Sequence, residues 1–238
     1  MNYLPGTEGP LIHEGDIVSF KFKRSELTLR LPRIPYERDL LDRVCQQGDW
    51  SKEDPRNWED IDVGFDRELV NQSWKYKHIA NREFVASCDL SMNVFTLNDI
   101  NERNPEPLNS ARFRQYSIDL INSNYDPDAP RLEDSPQPSN DFYMEVIESL
   151  TKRGIRFLSA GDEYKIKHPK ITAILALDRN MLLSIGFEVF PYNYTDSINP
   201  FSDEQIRTFK MDLFEEIMSH LVIKFDTELQ AEIALQNS

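Results

Sequence analysis

Glycine is scarce in this chain, with 8 in 238 residues. Loops that cradle phosphates on backbone amides need glycine in runs, so nucleotide binding of the usual kinds is not expected. The sequence contains no G-x-G-x-x-G, no G-x-x-x-x-G-K-[ST], no G-x-S-x-G and no H-E-x-x-H, which removes the common cofactor, phosphate, hydrolase and metalloprotease signatures. Cysteine is scarcer still. Cys45 and Cys88 are the only two, and neither sits in a C-x-x-C. A disulfide framework and a structural zinc site are therefore excluded, and both residues read as free thiols of a reducing compartment. No apolar run approaches the roughly 20 residues that span a bilayer. The longest, Ile171 to Leu177, is strand-sized. The opening MNYLPGTEGPLIHEGD lacks the basic start and apolar core of a secretory signal, so the expected location is cytoplasmic, with no membrane association.

Positive charge is also in short supply. There are 27 Lys and Arg against 41 Asp and Glu, for a net charge of −14. Residues 1–120 carry −5 and residues 121–238 carry −9, so no basic domain hides behind an acidic tail. Direct nucleic-acid binding needs a cationic footprint that this chain lacks. Such a surface steers basic partners, and it also serves plain solubility.

The four histidines, His13, His78, His168 and His220, are too far apart in sequence to form a helical metal pair. No metal and no cofactor are expected. Cys88 and His78 are a conceivable nucleophile and base, but Cys88 falls on the apolar side of an alternating strand, where a cysteine is an inert small hydrophobe.

What the chain does have is enough apolar material, 39% hydrophobic and 11% aromatic, to build a core. Alternation of period two marks Val18, Phe20 and Phe22, then Leu27, Leu29 and Leu31, as the two arms of a hairpin over about 17–31. The clearest strand is 84–95. Phe84, Ala86, Cys88, Leu90, Met92 and Val94 face one way; Ser87, Asp89, Ser91 and Asn93 face the other, as a sheet with one wet side requires. It closes a hairpin over about 75–96. The runs ITAILAL and MLLSIGFEVF form a third, at about 171–190, apolar enough to be covered on both faces. Helical spacing predicts helices at about 36–47, 109–121 and 139–153. A long C-terminal helix from 202, opened by a Ser202–Gln205 capping box, is expected to run to about 235. The fold class is α+β, antiparallel sheet packed by helices. Residues 122–138 hold four prolines and read as a loop or linker between an N-terminal half, 1–121, and a C-terminal half, 139–238; one continuous domain is the alternative.

The most enzyme-like fragment is Asp162-Glu163-Tyr164-Lys165, the local part of a PD-(D/E)-x-K nuclease arrangement. Its upstream Pro-Asp is missing: Pro127-Asp128 lies in the proline-rich segment. The acidic surface argues against it too.

One stretch carries more information than the rest. Residues 48–68 hold eight acids and three bases, interleaved with Trp50, Trp58, Ile61 and Phe65. Aromatics supply hot-spot burial at an interface, and acids around them orient a basic partner. The candidate partner-binding residues are Trp50, Asp54, Trp58, Glu59, Asp60, Asp62, Phe65 and Asp66. The competing reading has the tryptophans covering the sheet while the acids stay in water. The function expected from this profile is an acidic binding protein, most specifically an inhibitor or immunity-type protein that occludes the basic active site of a partner such as a toxin nuclease. The alternatives are an enzyme of unrecognised type, using His78, Asp89 or the 162–165 fragment, and a structural subunit of a complex.

Overall fold

A computed structural model describes residues 4, 6–33, 40–61, 64–97, 109, 112–113, 143–146, 154–159, 170–191 and 201–238. The strands are β1 (Thr7–Glu8), β2 (Leu11–Lys21), β3 (Ser25–Arg33), β4 (Leu40–Cys45), β5 (Gly48–Asp49), β6 (Glu59–Ile61), β7 (Gly64–His78), β8 (Phe84–Leu97), β9 (Tyr143–Val146), β10 (Gly154–Ser159), β11 (Lys170–Asp178), β12 (Met181–Pro191) and β13 (Val222–Phe225). Two helices, α1 (Asp203–Ser219) and α2 (Thr227–Gln236), complete the described elements.

The strands form two sheets. The nine-stranded sheet has the order β1-β7-β8-β12-β11-β10-β9, and β4 and β6 also pair with β7. β7 is so long that three short strands share one of its edges: β6 at its start, β4 in the middle and β1 at its end. The four-stranded sheet has the order β13-β3-β2-β5. All three expected hairpins are present, as β2–β3, β7–β8 and β11–β12. The strands β8 and β12 pair from Met181↔Thr96 to Pro191↔Ala86. The N-terminal and C-terminal halves therefore share one sheet and one core. The proposed linker at 122–138 lies outside the described residues, as does nearly all of the helix expected at 109–121.

The core follows from the alternation. Val70, Gln72, Trp74 and Tyr76 of β7 and Cys88, Leu90 and Met92 of β8 are all buried on the inner face. The Trp74 ring lies 6.0 Å from Phe187, and Phe187 lies 6.1 Å from Phe214 of α1. Tyr76 meets Phe209 of α1 edge-on at 4.9 Å. The helix contacts both β12 and β3, so it sits where the two sheets approach. Its start is as expected: Ser202 Oγ accepts from the Gln205 amide at 3.2 Å, and Gln205 Oε1 accepts from the Ser202 amide at 2.8 Å.

Two helical expectations fail and a third is met only in part, each for a tertiary reason. Residues 40–45 satisfy a helical spacing but form β4, because the middle of β7 needs a partner for its edge amides and carbonyls. Within the span 139–153, residues 143–146 form β9, paired with β10 from Tyr143↔Leu158 to Ile155↔Val146. The long C-terminal helix is two helices. It stops at Ser219, the β-branched run Val222-Ile223 enters β13 against β3, and Asp226 caps a second helix by accepting from the Leu229 amide at 2.7 Å. Among the described residues no helix is long and apolar enough to cross a membrane.

Candidate docking face

The 48–68 segment bridges the two sheets. Its start is fixed to the four-stranded sheet, where β5 runs parallel to β2 and the Trp50 amide donates to the Lys21 carbonyl at 2.7 Å. Its end is fixed to the nine-stranded sheet, where Glu59↔Asp66 and Asp60↔Phe65 are cross-strand partners. Between them Pro55–Asn57 make one 3-10 turn, capped by Asp54.

The aromatics of this segment are foundations. Trp58 is only 7% exposed and belongs to the core cluster, with its indole N–H donating to Glu53 Oε2 at 2.9 Å. A buried ring cannot be the exposed anchor that the sequence suggests. Trp50 is half-buried beneath the Arg67 guanidinium, which lies 4.4 Å from the ring centroid. Phe65 is likewise half-buried against the core.

The acids separate into two kinds. Asp54 is held by Arg56, whose Nε lies 3.0 Å from each carboxylate oxygen, and this guanidinium together with the Arg56 amide lowers its pKa to about 2. Hydrogen bonds from the Ser51 hydroxyl and from its amide, 3.0 Å away, lower the Asp49 pKa, and Lys21 at 3.8 Å lowers it further. Glu59, Asp60, Asp66 and Glu68 have no ion-pair partner among the described residues. Asp66 accepts from Asn93 Nδ2 at 2.8 Å and Glu68 accepts from Asn71 Nδ2 at 3.1 Å, both neutral donors. Partial burial raises the Asp66 pKa, and the neighbouring Glu59 and Glu68 raise it further, against the lowering pull of the Asn93 and Arg67 hydrogen bonds. Like charges directly opposite each other, as Glu59 and Asp66 are, destabilise a ladder. Asp62 lies outside the described residues.

The register shows where these carboxylates point. The β7–β8 ladder shifts at Leu69, between Glu68↔Asn93 and Val70↔Met92. That extra residue puts Asp66 and Glu68 on the side of the sheet opposite Trp74. There they continue the polar face of β8, with Asn93, Ser91 and Asp89, and reach Glu188 of β12 through the pair Glu188↔Asp89. Toward that end the charge is answered: Lys170 Nζ lies 3.6 Å from Glu188. Gly186 clears the way for it, since a Cβ there would fall 2.4 Å from Lys170 Cε and 2.7 Å from Ser91 Oγ. The unanswered negative charge is thus concentrated at the β6–β7 end. Asp60, opposite Phe65, lies on the other side of the sheet. Of the residues on this face the sequence singles out Glu59 and Asp66. It misses Glu68, whose membership of the face depends on the shift at Leu69; the polar alternation of 84–95 is the available signal for Asn93 and Asp89.

Cys88 and His78 are not brought together. Cys88 is fully buried, its thiol pKa pushed well up by desolvation, and its cross-strand neighbour is Trp74 rather than His78. His78 Nδ1 accepts from the Ala80 amide at 3.2 Å in the β7–β8 turn. Residues 162–165 lie outside the described residues. No group of His, Cys, Asp and Glu among the described residues is arranged to hold a metal ion. No protein-family model, no curated protein and no solved structure matches the chain.

Proposed function

We propose that this chain is a binding protein that presents the acidic face of β6 and β7 to a basic protein partner. The supporting observation is the set Glu59, Asp66 and Glu68, which share one side of the sheet and have no ion-pair partner among the described residues. Several acids elsewhere in the described chain are paired: Glu8 with Arg82, Asp54 with Arg56, Glu188 with Lys170, and Asp178, Asp226 and Glu232 with Arg24. A ladder position that holds opposed carboxylates, one of them partly desolvated, is disfavoured in the free protein. An incoming Lys or Arg relieves that repulsion, so the arrangement is suited to binding rather than to folding. The finer reading is an inhibitor of immunity type, in which this face occludes the cationic cleft of an enzyme such as a toxin nuclease. Trp58 and Trp50 then act from below, by holding the acid-bearing strands in place.

The test is kinetic. A basic partner is isolated from the native host and its binding measured against Glu59→Gln/Asp66→Asn/Glu68→Gln. Association slows in this variant, and the penalty shrinks as salt screens the field. Unchanged rates at low salt remove this face from the docking surface, and turnover of a substrate by the chain alone contradicts the binding-protein reading.

A further inference from the structure

The helix α2 is poorly equipped to hold itself in place. It has ten residues, fewer than an isolated helix needs to persist in water. It buries one side chain, Leu229, and leaves Leu235 in solvent. Among the described residues its attachment is mainly polar and centres on Glu232, whose side chain is 28% exposed. Glu232 accepts from Arg24 Nη2 at 2.9 Å and Nη1 at 3.3 Å, and from Arg179 Nε at 2.9 Å. Arg24 stands at the tip of the β2–β3 hairpin and Arg179 at the tip of β11–β12. These tips belong to different sheets. Asp178 lies 3.5 Å from Arg24, and the cap residue Asp226 lies 3.7 Å from it and donates its amide to the Arg24 carbonyl at 2.9 Å. At the far end, Asn109 Nδ2 donates to the Gln236 carbonyl at 2.8 Å.

We propose that α2 is a releasable strap, latched by Glu232 across the two hairpin tips and able to open while both sheets stay folded. The strands need nothing from it: β13 remains paired with β3 through Val222↔Thr28 to Phe225↔Ser25. Opening bares the seat of Leu229 and takes from the Arg24 and Arg179 guanidinium groups the carboxylate they share, leaving Arg24 beside Asp178. A carboxylate of a partner can then take the place of Glu232 at Arg179, beside the apolar seat of Leu229. Ionic strength controls the strap, because its latch is a network of charges near the surface.

Amide hydrogen exchange on the full chain tests this, comparing residues 229–236 with residues 88–94 of β8. In the wild type the strap exchanges faster than β8. In Glu232→Gln it exchanges about fivefold faster again while β8 is unchanged. About 0.5 M NaCl produces the same acceleration in the wild type and little in the variant. Arg179→Gln, which removes one exposed partner, gives a smaller shift in the same direction. Strap amides that exchange only at the β8 rate overturn the proposal. So does a Glu232→Gln protein that fails to fold or whose strap and β8 accelerate together, and so does a strap indifferent to both charge and salt.

Discussion

The two ends of β7 are built on opposite terms. From Val70 to Tyr76 the inner side chains are buried among β8, β12 and α1. From Asp66 to Glu68 the same strand turns carboxylates to the outer side, opposes one of them to Glu59 and supplies only amide donors. One residue, Leu69, separates these regimes by shifting the register. Packing determines the first end, since truncating a buried side chain there opens a cavity. The second end is held against its own electrostatics by the first. This division is what a scaffold with a recognition surface requires: rigid strands carrying a charge pattern that stability alone does not select.

The largest effect expected is at the packed end. Trp74→Ala removes a fully buried ring and should destabilise the fold by about 3–5 kcal/mol, read as a lower denaturant midpoint. A loss below about 1 kcal/mol would show that the inner face is not close-packed, and the contrast between the two ends would collapse. Trp58→Ala comes next. It undermines the acidic end from beneath, and the expected loss is about 2–3 kcal/mol in the same measurement. If Trp58→Ala left stability untouched, the ring would be free to serve as a surface anchor after all.

Lys210 of α1 gives a charge at the packed end for comparison. Its side chain is buried, and desolvation, with Arg207 adding repulsion and Glu188 opposing, lowers its pKa from 10.5 to about 8. The unfolded chain then binds this proton more readily than the folded one between those values. Stability therefore gains from this group as pH rises from about 8 to about 10.5, by roughly 2 kcal/mol. Lys210→Met should remove that rise, seen by comparing unfolding curves of the two proteins at pH 8 and pH 10. Parallel pH profiles would mean that the amine is hydrated.

The smallest effect has the opposite sign. The Asp66 pKa is raised in the folded state, so the folded chain holds this proton more tightly than the unfolded one. Its penalty is present at neutral pH and fades as pH falls through the raised value. Asp66→Asn keeps an acceptor for Asn93, and should stabilise the protein at pH 7 by under about 1 kcal/mol, since the group is partly solvated. The gain should vanish in acid. A destabilised Asp66→Asn at pH 7 would mean that the carboxylate has a folding role.

Much of this was legible in the sequence where local pattern and tertiary need agree. The alternation at 84–95 located both faces of β8, and the Ser202–Gln205 box located the start of α1. Legibility failed where a distant strand decides. Leu40 and Leu41 fit a helix, yet the free edge of β7 recruits them as β4. Leu221 continues the helical spacing of α1, yet β3 recruits the next residues as β13. At the acidic β6–β7 end, composition located the acids. It could not reveal that Trp58 is buried or that Glu68 joins Asp66, because both depend on how β6 and β7 pair and on the shift at Leu69.

The central claim is that negative charge at the β6–β7 end acts by its position rather than by its amount. Isothermal titration with an Arg- and Lys-rich peptide at low ionic strength measures this directly. Glu59→Gln/Asp66→Asn/Glu68→Gln and the control Glu204→Gln/Asp212→Asn/Glu228→Gln each remove three carboxylates, taking the net charge from −14 to −11. The first variant should bind the peptide about tenfold more weakly than the wild type, and the control within about twofold of it. Equal weakening of the two variants, or no weakening of the first, would contradict a localised docking face.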